Sequence, residues 1–111
     1  MEVPGGNDRK FTVALLELMG TSLFVFGILV SGGNALGVPL SLFASILIFG
    51  GITGGHFNPA VSFGVFIVTE NRSQNICFLI MIIIAQCIGA FVAVGMSFLA
   101  LYLKADGKLL I

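Results

Sequence analysis

The chain has 111 residues, 58% hydrophobic and 9% charged, with a formal net charge of zero. A water-soluble domain carries about a quarter charged residues, and a core of this size cannot hide so much apolar surface. The composition excludes an ordinary soluble domain and, with no basic cluster, nucleic acid as a partner; the chain reads as a multi-pass integral membrane protein.

No Asp, Glu, Lys or Arg occurs from Leu18 to Thr69 or from Ser73 to Leu103. After a polar tail, residues 1–10, the first apolar run covers residues 11–31. Some twenty residues suffice for a helix across about 30 Å of hydrocarbon. The run is longer than the apolar part of a signal peptide and leads into further apolar runs, so a cleaved signal is not expected. Asn7 or Asp8 is suited to cap its start. "SGGNALG" then offers turn chemistry, and a second run covers residues 38–53.

The next stretch, "GGHFNPAVS" from Gly54 to Ser62, interrupts this apolar pattern. Pro59 fits the first turn of a helix, where its missing N–H costs nothing, and Asn58 is a favoured cap just before it. The helix so started, residues 59–68, is about 15 Å long, half a membrane. Glu70, Asn71 and Arg72 then return the chain to water. The expectation is a re-entrant half-helix, whose irregular backbone is tolerated at membrane depth only when buried in protein or lining a cavity.

The last span covers residues 75–103 and is followed by a short tail, residues 104–111. Ala85, Gly89, Ala93 and Ser97 recur every fourth position, a seam of small side chains suited to close packing against neighbouring helices. Cys77 and Cys87 fall in this run and are expected as buried thiols, with no spacing that suggests a disulfide or metal site. Arg9, Lys10 and Arg72 on one side favour a cytoplasmic N-terminus, against which Lys104 and Lys108 argue. In that orientation the Asn71-Arg72-Ser73 glycosylation pattern faces the cytoplasm and stays unmodified.

A half-helix starting at mid-membrane places about half a positive charge and unpaired N–H donors there. Such an end can hold an anion or form a barrier to cations in a pore. The extended approach, Gly54-Gly55-His56, leaves carbonyl acceptors free along the way. Acceptors on the approach and donors at the centre suit a neutral solute. No spare carboxylate, Ser/His pair or metal cluster is evident, so neither an enzyme nor a cofactor is expected.

"HFNPAVS" resembles the first Asn-Pro-Ala box of the aquaporins, the major intrinsic protein family. "LLELMGTSLFVFG" (Leu15 to Gly27) is similar to the family's first helix, and "IIAQCIGAFVA" (Ile83 to Ala93) to its third. The resemblance runs in order over essentially the whole chain. It implies an all-α membrane fold, one aquaporin repeat of three transmembrane helices and a re-entrant half-helix over residues 11–103. It also implies a channel for water or small neutral solutes.

By this resemblance Asn58 supplies the pore-facing amide, with Pro59 and Ala60 shaping the half-helix start, and Gly54, Gly55 and His56 offer carbonyls to the solute. The His56 ring is expected to fix the loop rather than touch the solute. Glu17 and Gln86 would brace the loop, and Phe24 and Val61 match pore-wall positions. Val38 falls where the family places an aromatic residue or histidine of the outer constriction; an aliphatic residue there implies a wider, less polar opening that admits ammonia, peroxide, urea or glycerol.

Aquaporins have two inverted repeats, whereas this sequence carries one, with no second Asn-Pro-Ala box and no constriction arginine. The expected partners are therefore the bilayer, a water or small neutral solute, and a second repeat or a full-length aquaporin, with homo-oligomers as a further assembly. The alternative reading is a non-conducting truncated isoform that binds full-length channels and alters their folding or traffic.

Overall fold

The computed structural model describes residues 6–104, which form helices and turns with no strand among them. Helix α1 spans Gly6–Val30 and begins earlier than expected. Asn7 and Asp8 therefore lie inside its first turn and do not precede it. Asp8 remains well placed there, since a carboxylate suits the positive end of the helix dipole.

A turn at residues 31–36 is tied by the Asn34 side chain, whose Oδ1 accepts the backbone N–H groups of Leu36 and Gly37. Helix α2, Gly37–Ser45, then runs back along α1: Ser41 packs against Gly27, and Ser45 Oγ donates to the Gly20 carbonyl at 2.9 Å. The run does not continue as a uniform helix. It passes through one π-helical segment, Ile46–Gly50, and ends in a short turn, α3, Gly51–Thr53. The wider π turn brings Gly50 and Gly55 together, with Ile46 against both.

Helix α4 spans Pro59–Val68, and α5 spans Arg72–Lys104. The tail expected after the last span lies outside the described residues except for Lys104. Arg72 opens α5 three residues before the expected start, because Asn71 turns the chain with φ 58° and its carbonyl accepts from Gln74 N and Asn75 Nδ2.

Helices α1 and α5 run side by side in the same direction. Lys10 Nζ stands 5.8 Å above the Phe78 ring, Glu17 meets Gln86, and Ser22 Oγ donates to the Gly89 carbonyl at 2.8 Å. Val13, Phe78 and Ile82 form the apolar cluster between them. All four small residues of the α5 seam, Ala85, Gly89, Ala93 and Ser97, are buried within the chain. Gly89 sits directly on the Leu18 carbonyl, closer than any side chain would allow.

The opposite face of α5 is apolar and exposed, with Ile80, Ile84, Phe91 and Phe98 among its residues. Such a face is stable against lipid, not water. Cys77 and Cys87 lie on it, exposed and unbridged, so the expectation of buried thiols is corrected. In a membrane protein an apolar position is as well satisfied facing lipid as facing the core.

Candidate functional site

Between α3 and α4, residues 54–58 break the helical backbone midway along α1. Gly54 and Gly55 have φ of 90° and 70°, a region that glycine enters without steric cost. Phe57 is also left-handed, at φ 49°, which costs a bulky side chain energy and requires the surroundings to hold it. Its ring is 2% exposed, wedged over Gly20 with the Phe49 ring edge-on 6.5 Å away. Gly20 is the position at which α1 can admit that ring.

The loop directs its donors inward. Gly54 N–H donates to the Gly50 carbonyl at 2.9 Å and Gly55 N–H to Thr53 Oγ1 at 2.9 Å. His56 N–H and Phe57 N–H both donate to Glu17, at 3.1 Å to Oε1 and 2.8 Å to Oε2. No donor among the described residues reaches the carbonyls of Gly54, Gly55 or His56. The N–H groups from Gly54 to Phe57 are consumed by protein, and the carbonyls of Gly54, Gly55 and His56 are left as a row of acceptors among the described residues.

Glu17 is fully buried and receives a third donor, Gln86 Nε2 at 2.9 Å. A carboxylate buried in a membrane protein demands this pairing, since an unmatched charge at that depth is very costly. Gln86 Nε2 also donates to Ser62 Oγ at 2.8 Å, and Ser62 Oγ lies 2.9 Å from His56 Nδ1. Glu17, Gln86, Ser62 and His56 thus form one connected network joining α1, α5, α4 and the loop.

Asn58 is extended, at φ −159° and ψ 125°, and caps α4 by accepting the Ala60 N–H on Oδ1 at 2.9 Å. Its Nδ2 has no partner among the described residues, and the side chain is exposed. Pro59 takes the first turn of α4; Ala60 and Val61 are exposed on its open side. Phe24 is half-buried on α1. Val38 is half-buried in the first turn of α2, toward the far end of α1 where Gly37 packs on Ser31, and is not brought to the loop.

Three residues of this arrangement carried no role in the sequence reading: Phe57, Ser62 and Gly20. Phe57 and Ser62 were inside the conspicuous stretch, and the signal for Ser62 was its place four residues after the cap, on the face of α4 that turns inward. Nothing local marked Gly20, whose importance arises from a ring 37 residues downstream.

A family model for major intrinsic proteins matches residues 8–108. Similar proteins include glycerol uptake facilitator protein-like 6 of Lactiplantibacillus plantarum, 40% identical over 93 residues, which make up 77% of this chain and 40% of that protein. Probable aquaporin PIP2-6 of Oryza sativa subsp. japonica is 35% identical over 97 residues, covering 78% of this chain and 33% of that one. Aquaporin PIP1-1 of the same plant is 33% identical over 95 residues, covering 78% and 32%. The chain thus spans between a third and two-fifths of the length of these relatives. No solved structure matches. With two described helices long and apolar enough to cross a bilayer, the chain is an integral membrane protein that belongs to the major intrinsic protein family.

Proposed function

We propose that this chain builds one half of a transmembrane pore for water or small neutral solutes and conducts when a second repeat completes it. In this reading α1, the α2–α3 run and α5 cross the membrane, and α4 is a re-entrant half-helix entered from the side of Arg72. The observation that carries it is the loop at residues 54–58: unpaired carbonyls of Gly54, Gly55 and His56 lead to an Asn58 amide with free donors at the N-terminus of α4. A solute that both donates and accepts finds partners along such a path. A cation meets the positive end of a helix dipole.

The supporting roles follow. Glu17 and Gln86 brace the loop from behind, Pro59 and Ala60 shape the half-helix start, and Val61 and Phe24 supply apolar wall. Val38 stands at the outer mouth and leaves it wide. Water, glycerol, urea, ammonia and peroxide are the solutes to compare.

The test is stopped-flow osmotic shrinkage of proteoliposomes. One set carries the 111-residue chain alone, and another carries it fused to the second half of the L. plantarum relative. Solute flux in the fusion that falls on Asn58→Ala supports the half-pore. Flux indifferent to Asn58 in both sets overturns it. Altered surface abundance of a co-expressed full-length aquaporin, again indifferent to Asn58, favours the non-conducting modulator instead.

A further inference from the structure

The network behind the loop has a direction, and the direction fixes a proton. The Glu17 carboxylate accepts on both oxygens, from His56 N–H on Oε1 and from Phe57 N–H on Oε2, and the Gln86 amide turns Nε2 toward Oε2 at 2.9 Å. The second Nε2 hydrogen then points to Ser62 Oγ at 2.8 Å. Gln86 Oε1 is left without a partner, but the opposite orientation would set two oxygens against each other and strand an NH₂ group in the same buried position.

Ser62 therefore receives a hydrogen from Gln86 and must place its own elsewhere. It is fully buried, so water does not offer an outlet. Thr12, Ser41 and Thr69 each donate to the carbonyl four residues back, whereas Ser62 makes no such bond. The acceptor within reach is His56 Nδ1 at 2.9 Å. An accepting Nδ1 carries no hydrogen, so the neutral ring holds its proton on Nε2.

We infer that Ser62 is a positioning residue that locks neutral His56 in the Nε2–H form, and that this N–H is a fixed donor on the solute path. Nε2 has no partner among the described residues and lies beside exposed Gly54, where an added Cβ would stand 3.7 Å from it. The His56 ring thus has two roles: one nitrogen ties the loop to α4, and the other offers a hydrogen among the acceptors of Gly54 and Gly55. The donor's place on a path rests on the pore reading; the site of the proton does not.

The opposite arrangement needs a donor in place of an acceptor at position 17, as a glutamine would supply. Gln86 could then turn its oxygen to both that donor and Ser62, and Ser62 would accept from His56 Nδ1–H. The ring form therefore depends on a side chain it does not touch.

The chain has one histidine, so ¹⁵N-histidine labelling of the full-length protein in lipid bilayers gives a single pair of ring signals. For the neutral ring, the expected spectrum shows an unprotonated Nδ1 and an N–H coupling at Nε2. An Nδ1–H form, or an averaged pair, overturns the inference. Ser62→Ala should yield averaged signals with the backbone spectrum retained, and Ser62→Thr, which keeps the hydroxyl, should restore the Nε2–H form. An unaltered ring spectrum in Ser62→Ala also overturns it. Glu17→Gln should shift population toward Nδ1–H. Osmotic flux plays no part in this readout, so a failed pore and a failed proton assignment are told apart.

Discussion

Glu17 and Phe57 are 40 positions apart in the chain, and the Glu17 carboxylate accepts the Phe57 N–H at 2.8 Å. That bond, with its neighbour from His56, holds a buried aromatic residue in a left-handed conformation and fixes where α4 begins. Removing the carboxylate leaves three N–H donors without partners in a dry site, each costing roughly 1–3 kcal/mol. Glu17→Ala is therefore expected to lower stability by several kcal/mol, and Glu17→Gln, which retains one acceptor oxygen, by less. Unfolding of the two variants in mixed micelles, followed by helicity, orders them. Equal stability of Glu17→Ala and the parent chain would show that the loop is held by other means.

How much of this was legible in the sequence depends on the range of each interaction. Asn58-Pro59 announced a helix start because capping is local, and the structure places Asn58 Oδ1 on the Ala60 N–H. The partner of Glu17 could not be read from spacing, and only the likeness to a family pointed to the loop. Gly20 was silent because its contact crosses between elements, and Ser62 offered only its position after the cap. The π segment Ile46–Gly50 was hidden as well, since its apolar residues fit any helical period in a run without polar markers. Cys77 and Cys87 were misread for a physical reason: hydropathy separates water from everything else, and it does not separate lipid from core.

Close approaches at two glycines leave no room for a methyl group. At Gly89 the added carbon would meet the Leu18 backbone carbonyl, which cannot yield without moving α1. At Gly20 it would meet the Phe57 ring. Overpacking of this kind costs roughly 1–3 kcal/mol or more, so both alanine variants should unfold earlier, Gly89→Ala most of all. Gly95 has open space around it within the same helix, and Gly95→Ala should gain up to about 1 kcal/mol from helix propensity. A denaturation series on the three variants gives the order; a neutral Gly89→Ala would mean that α1 and α5 pack less closely than this.

Asn58 serves the fold with its oxygen; the proposed pore gives its nitrogen to the solute, and two variants separate the roles. Asn58→Asp retains the capping oxygen, and stability should hold within a few tenths of a kcal/mol. Asn58→Ala loses the cap at a cost of about 1 kcal/mol. Both lose the NH₂ donor, and a hydrogen bond of about 1 kcal/mol corresponds to about a fivefold drop in solute flux. Parallel thermal unfolding and stopped-flow measurements on the fused channel check this. Flux that tracks stability instead of the donor would assign Asn58 to the fold alone.

The ends of α5 are set apart by its length. Its 33 residues span about 50 Å, more than the hydrocarbon thickness, so in the proposed topology Asn71 before its start and Lys104 at its end should lie on opposite sides of the membrane. Lys10 over Phe78 puts the start of α1 at the Asn71 end. With Arg9, Lys10 and Arg72 gathered there, that end should be cytoplasmic. After Cys77→Ala and Cys87→Ala, an impermeant maleimide added to intact cells should label Lys104→Cys and spare Asn71→Cys until the membrane is opened. Labelling at Asn71→Cys alone would invert the orientation. Labelling of both in sealed cells would mean that α5 does not cross, and the re-entrant reading of α4 would fall with it.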